Sequence, residues 1–479
     1  MLSHIYNNKV VFYLSSRYLT YALQFLTSML IATKLGAYYL GVWGVITLLI
    51  SYFQQFHFGI ANSFNILYVQ HREEKKECDL YKINSLALIS YLSIIVIALY
   101  VYYKIFGTFD FEKYNADKYV IWICIIVIMQ YFVQFFINLF RVHNLLNHVA
   151  FCQSIVVLLN FFPVLFFHGE ELIGYLVFGY LIGNLIIVIL AFSSRTLPAF
   201  SFANIQFKYQ KLILQKGFYL FLYNSCFYLI IITIKTVISV NYSVEEFGFF
   251  TFSYTLAHAI ILVLEALLFI IFPKVIGKLS SNDVSEVKET ISLLRNSYLT
   301  SAHLLIYFSL VLFPFILYLM PQYTKALDSL NLIAITILTN TCSFGYAELM
   351  LSHNKEKTMA FLSAFALILN YILALLLVDF INVSFSFVIL STLVTYFIYT
   401  FIIYYKSISL IDNQKVQFFG FFPLRLFIPY SLALLLSIFH MECLLFCPLT
   451  LFILLNWKEC IGLVKTIKLL IYKPDVINL

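Results

Sequence analysis

The sequence predicts an all-α integral membrane protein with 12 to 14 transmembrane helices, in two pseudo-symmetric six-helix lobes plus a C-terminal pair. Three observations lead there. Only 11% of the 479 residues are charged and 62% are apolar or aromatic, against about 25% and roughly 45–50% in soluble domains. The apolar residues form unbroken runs of about 20, the length a helix needs to cross hydrocarbon, not the short alternating segments of a membrane β-barrel. The third is an internal repeat, set out below. So little charge excludes a soluble enzyme and a nucleic-acid binder, because most of this chain must have its backbone satisfied without water.

In chain order, spans are expected at 10–33, 40–64, 83–103, 119–140, 149–167, 172–192, 217–240, 249–272, 298–320, 329–351, 358–378 and 384–405. Two shorter ones follow near 425–440 and 443–457. The first run is too long for a signal peptide and has no small-residue cleavage site after it. Four segments result: an N-terminal lobe (1–192), a linker (193–216), a C-terminal lobe (217–405) and an additional short helix pair with a cytoplasmic tail (406–479). In the linker, Leu212, Ile213 and Leu214 lie beside Lys208, Lys211 and Lys216, the composition of a cytoplasmic amphipathic helix lying along a membrane.

The basic residues orient the spans. Twenty-three of the 30 Lys and Arg fall in one set of loops, five in the opposite set, and Arg17 and Lys235 fall inside spans. Positive loops stay in the cytoplasm, so both termini are expected there. The acids divide almost evenly between the two sides, with Glu265 and Glu348 inside spans, so the net charge of +7 reflects topology and not an acidic partner. The longest outer loop, 104–118, is too short to be a domain.

The repeat has two registers. At an offset of 210, residues 143–161 align with 353–371, matching His143/His353, Asn144/Asn354, Ala150/Ala360, Phe151/Phe361, Leu159/Leu369 and Asn160/Asn370. At 207, the first two spans align with the seventh and eighth, placing Tyr21 on Tyr228 and Gly41 on Gly248. Each half has an even number of spans, so the copies share one orientation and their pseudo-twofold runs along the membrane normal. A wet cavity is expected on that axis.

Helical spacing then selects a face. Arg17, Tyr21, Gln24 and Ser28 recur on one side of the first span, and their repeat partners are Asn224, Tyr228, Ile231 and Lys235. Charge inside a span normally faces a bundle interior or water, although either cation is near enough to a span end to reach an interface. Arg17, Tyr21, Gln24, Asn224, Tyr228 and Lys235 are therefore the candidate substrate-binding residues. Tyr254, His258 and Glu265 share a face of the eighth span, and His258 and Glu265 are the candidate ion-coupling pair. Glu348 reads as interfacial, with Asn138 at the equivalent place in the first half.

Other chemistry is thin. Cys124, Cys152, Cys226 and Cys342 lie within spans and read as small hydrophobes. His440, Cys443 and Cys447 have helical spacing but lack the rest of a zinc signature, so no metal and no cofactor is expected. The 51 Phe and 36 Tyr invite a reading as sugar platforms, but Phe, Tyr, Ile, Asn and Lys all have AT-rich codons, and a biased genome produces the same excess.

Four stretches carry a family resemblance: TKLGAYYLGVWGVITLLISYFQQFHFGIANSF (33–64), KTVISVNYSVEEFGFFTFSYTLA (235–257), the FPK at 272–274, and 321–361 from PQYTKALDSLNLIAI to LMLSHNKEKTMAF. In them the chain resembles the O-antigen and polysaccharide repeat-unit flippases of the multidrug/oligosaccharidyl-lipid/polysaccharide exporter superfamily. The resemblance implies no catalytic residues. It implies an undecaprenyl-diphosphate-linked oligosaccharide moved from the cytoplasmic to the periplasmic leaflet of a bacterial inner membrane by alternating access, for lipopolysaccharide or a similar surface polysaccharide. Membrane lipid, proton or sodium coupling and the polysaccharide polymerase machinery are the implied partners. Drug exporters of that superfamily commonly carry an acid in the first helix, where this chain has only Arg17. Two alternatives remain at this stage. A membrane polymerase or glycosyltransferase would use Asp110 and Glu112 in the outer loop, and a drug/cation antiporter would depend on Glu265.

Overall fold

The structure is a computed structural model that describes residues 9–107, 112–194, 196–199, 201–281, 283–411 and 418–463. Within these ranges the side chains of 9–15, 112, 263, 265–277 and 418–419 are not described. Among the described residues there is no strand, in keeping with an all-α membrane protein. Among the described residues, nine helices are long and apolar enough to cross a membrane, or up to eleven if each bent pair is one span. This is fewer than fourteen partly because the first two expected spans form one stretch, Ser16–Gln70.

That stretch begins with α1 (Lys9–Gln54), which is interrupted at Gly36 (φ 68°, ψ 175°). A side chain there would be strained, and glycine permits the break without it. After a 3-10 turn (Gln55–His57), left-handed Phe58 and Gly59 redirect the chain into α2 (Ile60–Gln70). The imidazole Nδ1 of His57 accepts the Gly59 N–H at 2.9 Å, so this break has its own local hydrogen bond.

Four helices follow in the first half: α3 (Lys75–Phe106), α4 (Val120–Val142), α5 (Leu146–Phe166) and α6 (Gly169–Ser193). The segment 193–216, expected as an amphipathic linker, contains a 3-10 turn at Phe202–Asn204 and the first turns of α7 (Phe207–Asn241), a single helix of 35 residues. Its Gly217 lies against Ser63 of α2, where a Cβ would meet the hydroxyl. The second half contains α8 (Val244–Leu279), α9 (Val284–Leu319), α10 (Leu327–Thr341), α11 (Tyr346–Ser352), α12 (Glu356–Leu375) and α13 (Leu390–Ile411). Two short helices follow, α14 (Leu424–Ile438) and α15 (Phe446–Leu455). At 15 residues and about 1.5 Å per residue, α14 is shorter than a bilayer core of about 30 Å. The stretch Glu442–Leu455 bends by 83° into Trp457–Leu463.

Contacts divide the chain into two compact units. One comprises 1–232 with 243–248, and the other 233–242 with 249–479. In the first, α1 packs on α5 and α6, and α4 packs on α6. Thr20 and Ser154 share a 2.6 Å hydrogen bond between α1 and α5, and Gly179 and Gly183 of α6 admit Asn160 and Val156 of α5. Small residues of this kind allow close helix packing where lipid offers no hydrophobic driving force. Apolar side chains of α3, including Ile94, Ile95, Leu99 and Ile105, are exposed, as suits a surface solvated by acyl chains. In the second unit, Ser253 of α8 bonds Ser329 of α10 at 2.6 Å, and Asn370 of α12 accepts from Thr392 of α13 at 3.0 Å.

The repeat is visible in local geometry. Asn144 (φ 57°) and Asn354 (φ 55°) are both left-handed. Leu145 N–H bonds Phe140 C=O at 2.9 Å, and Lys355 N–H bonds Met350 C=O at 3.0 Å. This is the 6→1 bond of a helix C-terminal motif, and asparagine is the favoured non-glycine residue at its left-handed position. Ala150 and Ala360 are buried, Phe151 and Phe361 exposed, and Asn160 and Asn370 buried.

The second register closes on itself within the first unit. A Cβ on Gly41 would run into the Val244 carbonyl, and one on Gly248 into the Ala37 carbonyl. Since 37 and 244, like 41 and 248, differ by 207, the contact is reciprocal between repeat-related residues. Gly248→Val is expected to eliminate most of the monodisperse protein on detergent size-exclusion chromatography. Gly462→Ala, where no atom lies within 4 Å of the new methyl, leaves the profile unchanged.

Candidate functional site

On α1, one stripe packs and the next carries the candidate residues. Thr20, Thr27 and Ile31 are buried, whereas Arg17, Tyr21 and Ser28 are half-buried and Gln24 is exposed. The Arg17 guanidinium lies 4.6 Å from the centre of the Tyr21 ring, one turn on. On α7, Asn224 and Tyr228 are exposed and Lys235 is half-buried. Among the described residues, Gln24, Asn224 and Tyr228 do not hydrogen-bond to one another through their side chains.

Lys235 instead meets the face read separately as ion-coupling. Its ammonium lies 4.0 Å from the centre of the Tyr254 ring on α8, and on the same helix the His258 ring is 5.5 Å from that of Tyr254. Lys235, Tyr254 and His258 therefore form one cluster in the second unit. The Glu265 side chain is outside the described residues, as are Asp110 and the Glu112 side chain.

Arg17 and Lys235 share an electrostatic arrangement. Each rests on a tyrosine face, and among the described residues neither is paired with a carboxylate. A cation–π contact is worth about 0.5–1 kcal/mol when exposed and about 2 when desolvated. It holds the cation in place without neutralising it.

Sequence reasoning missed the role of a further, buried cation. Arg295, grouped with the inner-loop basics, is 6% exposed. It donates to the carbonyls of Cys342 at 2.7 Å, Phe344 at 2.8 Å and Phe421 at 3.0 Å, and stacks 4.0 Å from the Tyr346 ring centre. Its bonds fall on the break between α10 and α11, where the expected span 329–351 bends by 42°. Gly345 (φ 86°) makes the turn, and the Glu348 carboxylate accepts the Gly345 N–H at 2.6 Å. Glu348, expected at an interface, thus caps α11. The available signal was Gly345 inside a predicted span, since a break there needs a donor. In the first unit, Asn138 accepts from Asn65 of α2, so the position equivalent to Glu348 joins two helices. His440 pairs with Asp328 at 2.9 Å.

These features can be set beside known proteins. No protein-family model matches the chain, and no curated protein sequence does. Among solved structures, one described as the lipid II flippase MurJ in an inward closed conformation superposes with a TM-score of 0.70 at 14% identity, covering 98% of this chain and 100% of that one. An inward-facing multidrug resistance MATE family transporter of the MOP superfamily gives 0.63 at 12%, covering 84% and 98%. The chain shares the fold of these two structures. A further MOP transporter, from Pyrococcus furiosus, is described as having a binding pocket of reverse polarity that suggests a different function. It gives 0.54 at 12%, covering 84% and 94%. The shared fold is that of a multi-pass helical membrane protein, and these neighbours are described as transporters and a flippase.

Arg295 supplies the direct test of the broken helix. Arg295→Lys leaves at least one carbonyl without a partner, each such loss costing about 1–3 kcal/mol. The apparent melting temperature in detergent should fall by several degrees, and Arg295→Met should fall further.

Proposed function

We propose that this chain is a flippase that carries a polyprenyl-diphosphate-linked oligosaccharide, such as an O-antigen repeat unit, from the cytoplasmic to the periplasmic leaflet of a bacterial inner membrane. The observation that carries this reading is the pair of cations set on tyrosine rings with no carboxylate beside them among the described residues. A diphosphate brings several negative charges into a medium of low dielectric, where uncompensated charge is very costly. Arg17 offers a planar fork of donors to phosphate oxygens and Lys235 a compact charge. A cationic drug would be repelled by both. The likeness to a lipid II flippase over 98% of the chain supports a lipid-linked cargo.

In this reading Tyr21, Gln24, Asn224 and Tyr228 donate and accept hydrogen bonds with sugar hydroxyls, while the polyprenyl tail stays in lipid. Both termini face the cytoplasm, as the basic loops indicate. His258 contacts the ring that holds Lys235, and with Glu265 it forms the route by which a proton or sodium ion acts on that cation. Polysaccharide polymerase machinery takes up the product on the outer side.

The decisive experiment deletes the gene and assigns the lipid-linked oligosaccharides to a leaflet. Complete units should accumulate on the cytoplasmic side, and an unchanged distribution would remove the flippase reading. In complementation, Arg17→Ala and Lys235→Ala are expected to lower surface polysaccharide at least about tenfold, about 1.4 kcal/mol, with normal protein in the membrane. Lys235→Arg keeps most of the activity.

A further inference from the structure

A separate pocket lies within the first unit, lined by no residue of the Arg17 stripe. Its volume is about 380 Å³, within the roughly 300–1,000 Å³ of small-ligand sites. Three pieces of chain converge on it. Tyr38 and Tyr39 follow the Gly36 break in α1, residues 115–119 lead into α4, and Glu170 begins α6. The break places two consecutive tyrosines at this end of the unit, and the distribution of basic residues assigns the end to the outer side.

The lining has a specific chemistry. The half-buried rings of Tyr38 and Tyr39 meet edge to face, with centroids 5.3 Å apart and planes at 83°, so they offer two nearly perpendicular apolar surfaces. Asp117 is exposed, and its Oδ1 accepts the Tyr103 hydroxyl at 2.6 Å. That bond orients the carboxylate and leaves most of its acceptor sites open. Asn115 holds a left-handed conformation (φ 49°) and exposes an amide that both donates and accepts. Glu170 is ion-paired with Lys118, whose ammonium also lies 5.2 Å from the Tyr119 ring centre.

Other ligand classes fit poorly. A phosphate would meet the Asp117 carboxylate while the one lysine of the lining, Lys118, is paired with Glu170, an acyl chain would desolvate both acids without return, and a metal ion has no use for perpendicular tyrosine faces. A sugar ring has apolar C–H faces and an edge of hydroxyls that donate and accept. We propose that this pocket binds a saccharide, with ring faces on Tyr38 and Tyr39 and hydroxyls on Asp117, Asn115 and Glu170. It receives the glycan end of the cargo on the outer side. The source of the sugar rests on the flippase reading, whereas the binding chemistry rests on these side chains alone.

The test uses the full chain in lipid nanodiscs and saturation-transfer NMR. One probe is the mixture of free oligosaccharides released by mild acid from the surface polysaccharide of cells that make the protein. The other is the polyprenyl-diphosphate-linked pool from the same cells. Transfer to ring protons of the free glycan is expected. Tyr38→Ala and Asp117→Asn weaken its affinity by about tenfold or more, and Asn115→Gly, which keeps the left-handed turn, weakens it several-fold. All three variants should melt near the parent temperature. No transfer from the parent protein, or equal affinity in folded Asp117→Asn and Asn115→Gly, overturns the proposal. Transfer confined to the lipid-linked probe also overturns it, because recognition then lies in the diphosphate or tail. Glycan binding together with an unchanged leaflet distribution in the deletion strain refutes the flippase reading and leaves the pocket standing.

Discussion

A helix that breaks inside hydrocarbon exposes carbonyls that no water can reach, and such groups must find a donor within the protein. Arg295 answers this constraint in the second unit. Its guanidinium serves two carbonyls at the α10–α11 break and a third at Phe421, so one side chain fastens a bent span to the start of the C-terminal helices. Glu348 satisfies the donor on the other side of the same break. With both groups in place, the bend is a defined structure and not a loss of helix. The break in α1 uses the opposite device, a glycine whose backbone adopts the required angles unaided.

Close approach between helices has an equally local origin. Where Gly41 and Gly248 meet the carbonyls of Val244 and Ala37, the absence of two methyl groups lets backbones touch, and dispersion does what hydrophobic collapse does in water. Hydroxyl pairs such as Thr20–Ser154 and Ser253–Ser329 add direction to that packing. These residues are small and weakly polar, and for that reason they escape a hydropathy profile.

The charges divide by task according to their partners. Arg295 is surrounded by carbonyl oxygens and is consumed by structure. Arg17 and Lys235 rest on aromatic faces, which hold a cation while leaving its field outward. Asp117 and Glu170 line the tyrosine pocket.

Much of this was legible in the sequence. The helical class, most span positions and the repeat follow from hydropathy and spacing, because the bilayer penalises every alternative backbone. Asn144 and Asn354 match in the sequence and share a left-handed geometry, since few residue types tolerate that conformation. Arg17 and Lys235 stood out because intramembrane charge is rare. The role of Arg295 was not legible, as a cation one turn outside a hydropathy window looks like any inner-loop residue until the carbonyls of positions 342, 344 and 421 are placed around it. Nor could periodicity bring Lys235 to Tyr254, or join Tyr38 to Asp117 across dozens of residues. The sequence by itself determined that the chain is a helical membrane protein with a duplicated plan, because those properties depend on local energetics. Only the tertiary structure decided which described groups Arg295 and Lys235 contact, because that depends on partners distant in the chain.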